Sequence, residues 1–600
     1  MKSAYVKQLS SPGLAMFMVW LALILCMAVW GPSARAISRV AILDSRLGSL
    51  LAADQRVDED EAWRERPLLW QNLLRGLFDH VDVVSGERLE GDALQGYDLL
   101  VVPDTSLLTP QQKEVVLGFL RRGNSVILTA RSGAESTSER DPDSLARALS
   151  LTYHPVEPSG ASSSISWWVV MDQPSYLSAG IPVLQHLAVE APLPVAASGS
   201  ARSLAFWMET GESDEDFGSG AARSAIRYGR FGEGRFLWLG FTIDGVGGDL
   251  ATSHAFHQLL SNATSWFRGQ AVVEMGNWPH PHQAAVIFSM DTETAFGNLY
   301  EVNALENLDY ITYFLLTDAA GLYTHLLREI ASRRREGTAT AELAVHGDNH
   351  DVFRGESRSV QTARLRRTRH YIEEETGMRP VGFRPPEEAY DYATLQSLVD
   401  TGFTYIFADD NPIRNTPRVI EVENQRLVQF PMLNLDDIKT IVLNDWPEPE
   451  EVLDVYLRDM GQIFSREGLY MANLHTHVLA GPNYIGVLRD LVDYTVAQGV
   501  WQTNCRQMVD WWLRRGAVDL GVRETRDGTL RFRVVNDGIE MIENLSLSLW
   551  LPEDARQVRL EVMPAQRRIV DYRQDGNRII YSVPVLMAGD GQEYRLTWQR

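Results

Sequence analysis

Between residues 284 and 477 the chain repeats one pattern: a short apolar run closes in ionisable side chains, and a helical stretch precedes the next run. The runs are "AAVIFSM" (284–290), "ITYFLL" (311–316), "ELAVH" (342–346), "VGFRPP" (381–386), "FTYIFAD" (403–409) and "YMANLHTH" (470–477). Unbroken apolar runs this short suit strands covered on both faces. Strands separated by helices pair in parallel, because a parallel pair needs a long crossover. One such helix is expected over 359–376, with Ser359 as its cap and Gly377 as its stop. Residues 270–516 are therefore expected to form a distorted β/α barrel. In barrels of that kind the chemistry sits at the carboxyl ends of the strands.

A chain of 600 residues exceeds what one hydrophobic core supports. Over 37–269 the runs "RVAILDS", "YDLLVVPDT", "NSVILTA" and "GRFLWLGF" again alternate with helices. One helix is signed by Thr109 as cap, Pro110 in the first turn, Gln112 closing a capping box and Gly123 at its end. This predicts a doubly wound parallel α/β domain. Residues 517–600 lack a helical period and alternate between turn residues, as in "LRFRVVNDG" and "LSLSLWLP". A small β-sandwich is expected there. The whole is a multidomain α/β plus β chain.

Residues 1–36 read as an address. Lys2 and Lys7 precede a charge-free run from Leu14 to Trp30, followed by the small-x-small "ARA" at 34–36. The run of 17 residues falls short of the roughly 20 that span a bilayer. A signal peptide is expected, with an uncleaved anchor through 14–30 as the alternative. Either way the protein is placed outside the cytoplasm, in the periplasm or cell envelope. The formal charge of −23 repels phosphate backbones, which argues against nucleic-acid partners. Only Cys26 and Cys505 are present. No disulfide framework is expected, and no cysteine nucleophile exists between them.

The strand ends carry the chemistry. His346 and His350 stand four apart around Asp348 in "HGDNHD". A helical turn or a strand end can present such a pair to one ion, although about 0.3 such pairs arise by chance in a chain of this composition. Asp291 and Glu293, two apart at the end of the first run, point the same way on extended chain. Arg384 follows another run and can clamp a carboxylate. Asp409 and Asp410 end the next, and His475 and His477 the last. Three protein ligands plus water make an open, catalytic metal site. Zinc is the expected ion, with cobalt and nickel accepting the same donors.

In this order the clusters of 284–516 resemble the polysaccharide deacetylase family, carbohydrate esterase family four. The resemblance implies a metal-dependent hydrolase that removes acetyl groups from N-acetylated sugars of a polysaccharide. It implies Glu293, His346 and His350 as metal ligands, Asp291 as base, Arg384 as its orienting partner and His475 as general acid. The reverse assignment of Asp291 and Glu293 stays open, and His477 competes with His475. Asp409 stands where a late acidic motif is expected. Asp348 or Asp351 is expected to hold an imidazole tautomer. The family's aromatic residue after Arg-x-Pro is Glu387 here. Two alternatives remain: hydrolysis of O-acetyl esters or a non-sugar amide, or an inactive glycan-binding or assembly protein. Residues 37–269 resemble, in pattern only, the class I glutamine-amidotransferase-like fold. Without a cysteine there, the resemblance implies a non-catalytic domain.

Overall fold

The computed structural model describes residues 39–44, 62–136, 144–157, 167–191, 194–209, 223–308, 310–335, 340–407, 416–431, 435–526, 528–563 and 568–600. The leader-like residues 1–36, with Cys26, and the pair Asp409 and Asp410 lie outside them. No described helix is long and apolar enough to cross a membrane.

Nine strands form the central sheet: β1 (Ala285–Thr292), β2 (Ile311–Leu316), β3 (Glu342–Gly347), β4 (Gly382–Phe383), β5 (Tyr405–Phe407), β6 (Arg418–Val422), β7 (Gln425–Phe430), β8 (Leu469–His475) and β9 (Trp501–Thr503). Their order is β6-β7-β5-β4-β3-β2-β1-β8, with β9 also on β1. Every pairing is parallel except β6 with β7. The sheet curls without closing, so the expected distorted barrel is an incomplete one, a half-barrel. A hairpin supplies its last edge: β6 reverses onto β7 through the left-handed pair Glu423 and Asn424, and its residues alternate between exposed and buried.

Side-chain alternation splits the strands between two cores. Val286, Phe288, Met290, Tyr313, Leu315, Leu343, Val345 and Phe383 pack with the surrounding helices. Ile287, Phe314, Ala344, Tyr405, Phe407 and Met471 share the other face with Cys505 and Met508. Gly382 is required by a close approach, since a Cβ there would lie 1.7 Å from Cζ of Tyr405. The helix after β3 spans Arg358–Thr376 and is capped by Ser357 rather than Ser359; Gly377 ends it in a left-handed conformation.

The amino-terminal sheet begins as expected, with strands 39–44, 80–85, 99–102, 125–129 and 234–239 mutually parallel. The helix Pro110–Arg121 carries the capping box between Thr109 and Gln112. The rest of the sheet is antiparallel, which corrects the doubly wound parallel expectation. Ser224–Phe231 turns straight into Gly234–Leu239, and a connection that short permits only an antiparallel pair. The carboxyl-terminal part has a five-stranded and a four-stranded antiparallel sheet. Val272–Met275, ahead of the central sheet in sequence, pairs with Ser546–Trp550 of the latter.

Candidate active site

Period-two alternation brings the chemistry together. Along β1, Ile287, Ser289 and Asp291 face one way; along β3, Ala344 and His346 do; along β8, Met471, Asn473 and His475 do. The first members are apolar core and the last are polar. The β1–β8 register sets Asp291 directly opposite His475. A strand that is core at its start therefore becomes a reaction surface at its carboxyl end, where helices no longer cover it.

Glu293 stands between the two histidines. Its Oε1 lies 3.3 Å from Nε2 of His346 and 2.9 Å from Nε2 of His350. His346 is the last buried imidazole of β3, whereas His350 sits in the bend beyond the strand and is half exposed. The pair is thus presented by a strand end, not by a helical turn. His346 Nδ1–H donates to the Arg384 carbonyl at 2.8 Å. A carbonyl only accepts, so Nδ1 carries a proton; without an ion Nε2–H can donate to Glu293 as well, and with an ion bound the Nε2 lone pair would go to it. That backbone oxygen does what was expected of Asp348 or Asp351. Asp348 instead forms ion pairs with Arg364 and Arg367, and Asp351 accepts from Asn349. Burial works to raise the Glu293 pKa, but the hydrogen bond from His346 and the charges of His346, His350 and His475 outweigh it and draw it down to about 2.

Asp291 is 3% exposed, and its two oxygens differ. Oδ2 lies 3.3 Å from Arg384 Nε, 3.8 Å from His475 Nε2 and 4.0 Å from His346 Nε2. Oδ1 is buried without a hydrogen-bond partner among the described residues. A buried carboxylate oxygen left bare costs roughly 1–3 kcal/mol or more. Arg384, 1% exposed, is fixed on every side: Asn473 Oδ1 and Glu388 Oε1 accept from its Nη atoms, and the Phe407 ring lies 4.4 Å from its Cζ.

His475 is held by Asp437, which is fully buried and was not singled out from the sequence. Its Nδ1–H donates to Asp437 Oδ1 at 2.6 Å, while the backbone N–H groups of His475 and Leu479 donate to Oδ2 at 2.7 and 3.1 Å. Burial alone would depress the imidazole's pKa; the Asp437 hydrogen bond and charge, helped by Asp291 and opposed by Arg384, push it up to about 9. The signal for Asp437 was an apolar run, "LVQFPMLNL", ending in paired aspartates. His477 is exposed and meets the cluster only through its ring, 5.5 Å from that of His475.

The donor set fits a divalent ion of the zinc type. One carboxylate oxygen and two imidazole nitrogens, from Glu293, His346 and His350, lie within 4.8 Å of one another. Asp291, Glu293 and His475 form a second such group, but there Nδ1 of His475 is committed to Asp437 and its Nε2 carries a proton below pH 9. The first group is the better ligand set.

Residues 302–406 match the polysaccharide deacetylase family. The matched stretch contains His346, His350 and Arg384; Asp291, Glu293, Asp437 and His475 fall outside it. No curated protein matches the chain. Among solved structures, one described as a polysaccharide deacetylase from Mycobacterium smegmatis is 22% identical, with 40% of this chain and 93% of that one covered and a TM-score of 0.36. An allantoinase is 15% identical over 39% of this chain and 92% of its own, with a TM-score of 0.34. A polysaccharide deacetylase from Pseudomonas aeruginosa PAO1 is 16% identical over 40% and 93%, with a TM-score of 0.34.

Proposed function

We propose that this chain is a metal-dependent hydrolase that removes acetyl groups from N-acetylated sugars of a polysaccharide outside the cytoplasm. The family match carries the coarser part, a hydrolase of polysaccharide acetyl groups. The finer part rests on one observation: a carboxylate oxygen of Glu293 within 3.3 Å of two imidazole Nε2 atoms, flanked by Asp291 and a cationic His475. Placement outside the cytoplasm rests on the leader-like residues 1–36.

Glu293, His346 and His350 would hold the ion. Bound there, a divalent metal supplies Lewis-acid polarisation of an acetyl carbonyl and acidifies a water. The remaining work belongs to the side chains. Asp291 accepts a proton from the water as the water's oxygen bonds to the acetyl carbon, with Arg384 holding its carboxylate in place. His475 gives its Nε2 proton to the sugar nitrogen as the C–N bond breaks, leaving acetate and an amine. Asp437 keeps that imidazole protonated and aimed. His477, exposed to solvent, has no step in this scheme.

Incubating purified protein with a tetramer of N-acetylglucosamine tests the proposal. Acetate and free amine should appear in equal amounts, stop on chelation and return when zinc or another divalent ion is restored. Turnover that survives exhaustive chelation would remove the metal from the scheme. A metal-loaded protein that releases no acetate from this tetramer or from other acetylated glycans would favour a binding role.

A further inference from the structure

Asp291 depends on one neighbour for its orientation. Among the described residues its closest cation is Arg384, with Nε 3.3 Å from Oδ2, while Nε2 of His475 and of His346 stand at 3.8 and 4.0 Å. The backbone of Arg384 is pinned just after β4. Its N–H donates to the Val345 carbonyl at 2.9 Å, and its own carbonyl takes His346 Nδ1–H. Three further groups place its side chain. Asn473 on β8 accepts from Nη1, the Phe407 ring on β5 lies 4.4 Å from Cζ, and Glu388 accepts from Nη2 at 2.9 Å. Of these three, only Glu388 carries a charge.

Glu388 reaches that position through a strained turn. Glu387 and Glu388 are consecutive left-handed residues, with φ of 52° and 56°. Glycine suits that conformation, and side chains of this size seldom adopt it. Inside the turn, Glu388 N–H donates to the Pro385 carbonyl at 3.0 Å and Ala389 N–H to that of Pro386 at 3.1 Å. The chain beyond is tied down. The Tyr390 carbonyl accepts from Arg354 Nε at 3.0 Å, its hydroxyl accepts from Gln429 Nε2 at 2.8 Å, and Asp391 caps the helix Tyr392–Thr401. Strain that the surroundings hold in place is characteristic of functional sites. A surface ion pair would not offset it, because such pairs contribute little. This pair is different: the Glu388 side chain is 35% exposed, but the guanidinium that it meets is buried.

We infer that Glu388 is a positioning residue for the proposed base, acting through Arg384: its carboxylate holds the guanidinium in the orientation from which Nε meets Asp291. Its part in turnover rests on the deacetylase reading; the contact itself does not. A guanidinium presents five N–H donors in one rigid plane and accepts nothing, so it turns as a unit when a partner is lost. Without Glu388, Nη2 has no other acceptor among the described residues, in a place that water hardly reaches. Asp436, bridged to the backbone of Asn473, attracts the same charge. With Glu388 gone the guanidinium tips toward Asp436, and Nε leaves Asp291. A proton acceptor displaced by about an ångström slows the reacting step and leaves substrate binding nearly unchanged.

The test compares E388A, E388Q and E388G with the parent, all loaded with zinc, on the N-acetylglucosamine tetramer. For E388A kcat should fall about tenfold with KM within about twofold of the parent's. E388Q keeps an oxygen where Nη2 donates, so it should retain roughly half of kcat or more. E388G removes the carboxylate and relieves the left-handed strain, so it should fold even if E388A does not, with kcat lowered as in E388A. Parent-like kcat in E388A or E388G overturns the role, and so does a loss in E388Q as large as theirs. A rise in KM at constant kcat also overturns it, since it would mean that Glu388 touches substrate instead. Crystal structures of the metal-free parent, E388Q and E388G separate this inference from the reading beneath it. The contact between Arg384 Nε and Asp291 should persist in the parent and E388Q and open beyond about 4 Å in E388G. If the parent releases no acetate, the deacetylase reading falls, while an opened contact in E388G still supports the positioning role. An unchanged contact in E388G overturns it.

Discussion

The central sheet buries carboxylates at both of its ends, and they behave in opposite ways. At the carboxyl ends Glu293 lies among three imidazoles and is drawn down to about 2. At the amino ends Glu342, the first residue of β3, is more deeply buried and meets mainly neutral donors: the Tyr405 hydroxyl at 3.0 Å, the Thr312 hydroxyl at 3.2 Å and the Arg506 backbone N–H at 2.8 Å. Cys505, the described cysteine, is free and buried in the same cluster. Burial is the largest influence on both carboxyls, and at Glu342 it wins, pushing the pKa up to about 7. Depth and the charge of the neighbours together decide whether a carboxyl is charged: Glu293 is less buried and has imidazoles beside it, Glu342 is fully buried among hydroxyls and a backbone N–H. One end of the sheet is arranged for ionised chemistry, the other for a neutral, packed floor.

Three substitutions would break or sharpen that contrast. The largest effect is expected from Asp291→Asn, which leaves shape intact but removes the proposed base. Its kcat on the acetylated tetramer should fall about 10²–10⁴-fold, with the protein still folded by circular dichroism. A value near the parent's would show that Asp291 is not where the water's proton goes.

Glu342→Gln probes the other end. A carboxyl raised from 4.5 to about 7 on folding costs nothing below pH 4.5, because both states are protonated. The cost grows as the unfolded state ionises and is complete above pH 7, at on the order of 3 kcal/mol. Urea unfolding should therefore show the Gln variant more stable by about that amount at pH 8 and equal to the parent near pH 4. Acetyl hydrolysis should not change. A stability difference that is constant across this range would mean that Glu342 is ionised in the fold.

Asp437→Asn should have the smallest effect, and it reads His475 alone. With the carboxylate in place the acid stays protonated up to about pH 9. Without it, the alkaline limb of the kcat profile should move down toward the ordinary imidazole value near 6.5. At pH 8 that costs about tenfold or more, and at pH 5.5 very little. A limb that stays put would assign the alkaline limb to another group.

What could be read early and what could not divides along the range of the forces involved. Pattern within a single strand is local: alternation alone put Asp291 and Glu293 on one face and made strand ends the place to look for His346, His350, Arg384 and His475. The helix caps at Thr109 and Gly377 were equally local. Asp437 was missed because its meaning lies in a partner 38 residues away. Asp348 was misjudged for the same reason: Arg364 and Arg367 claim it from the following helix, and a backbone carbonyl takes the imidazole instead.

Sequence by itself determined the parallel core of the central sheet, the polar strand ends, the carboxyl-terminal strands and the acidic, cysteine-poor character of the chain. Those follow from periodicity and composition, which each segment carries alone. Only the tertiary structure decided that half of the amino-terminal sheet is antiparallel and that Val272–Met275 joins the four-stranded carboxyl-terminal sheet. It also decided which buried carboxyls meet cations and which meet hydroxyls. Edges, partners and local charge depend on what other segments bring alongside, and no stretch of chain encodes its neighbours.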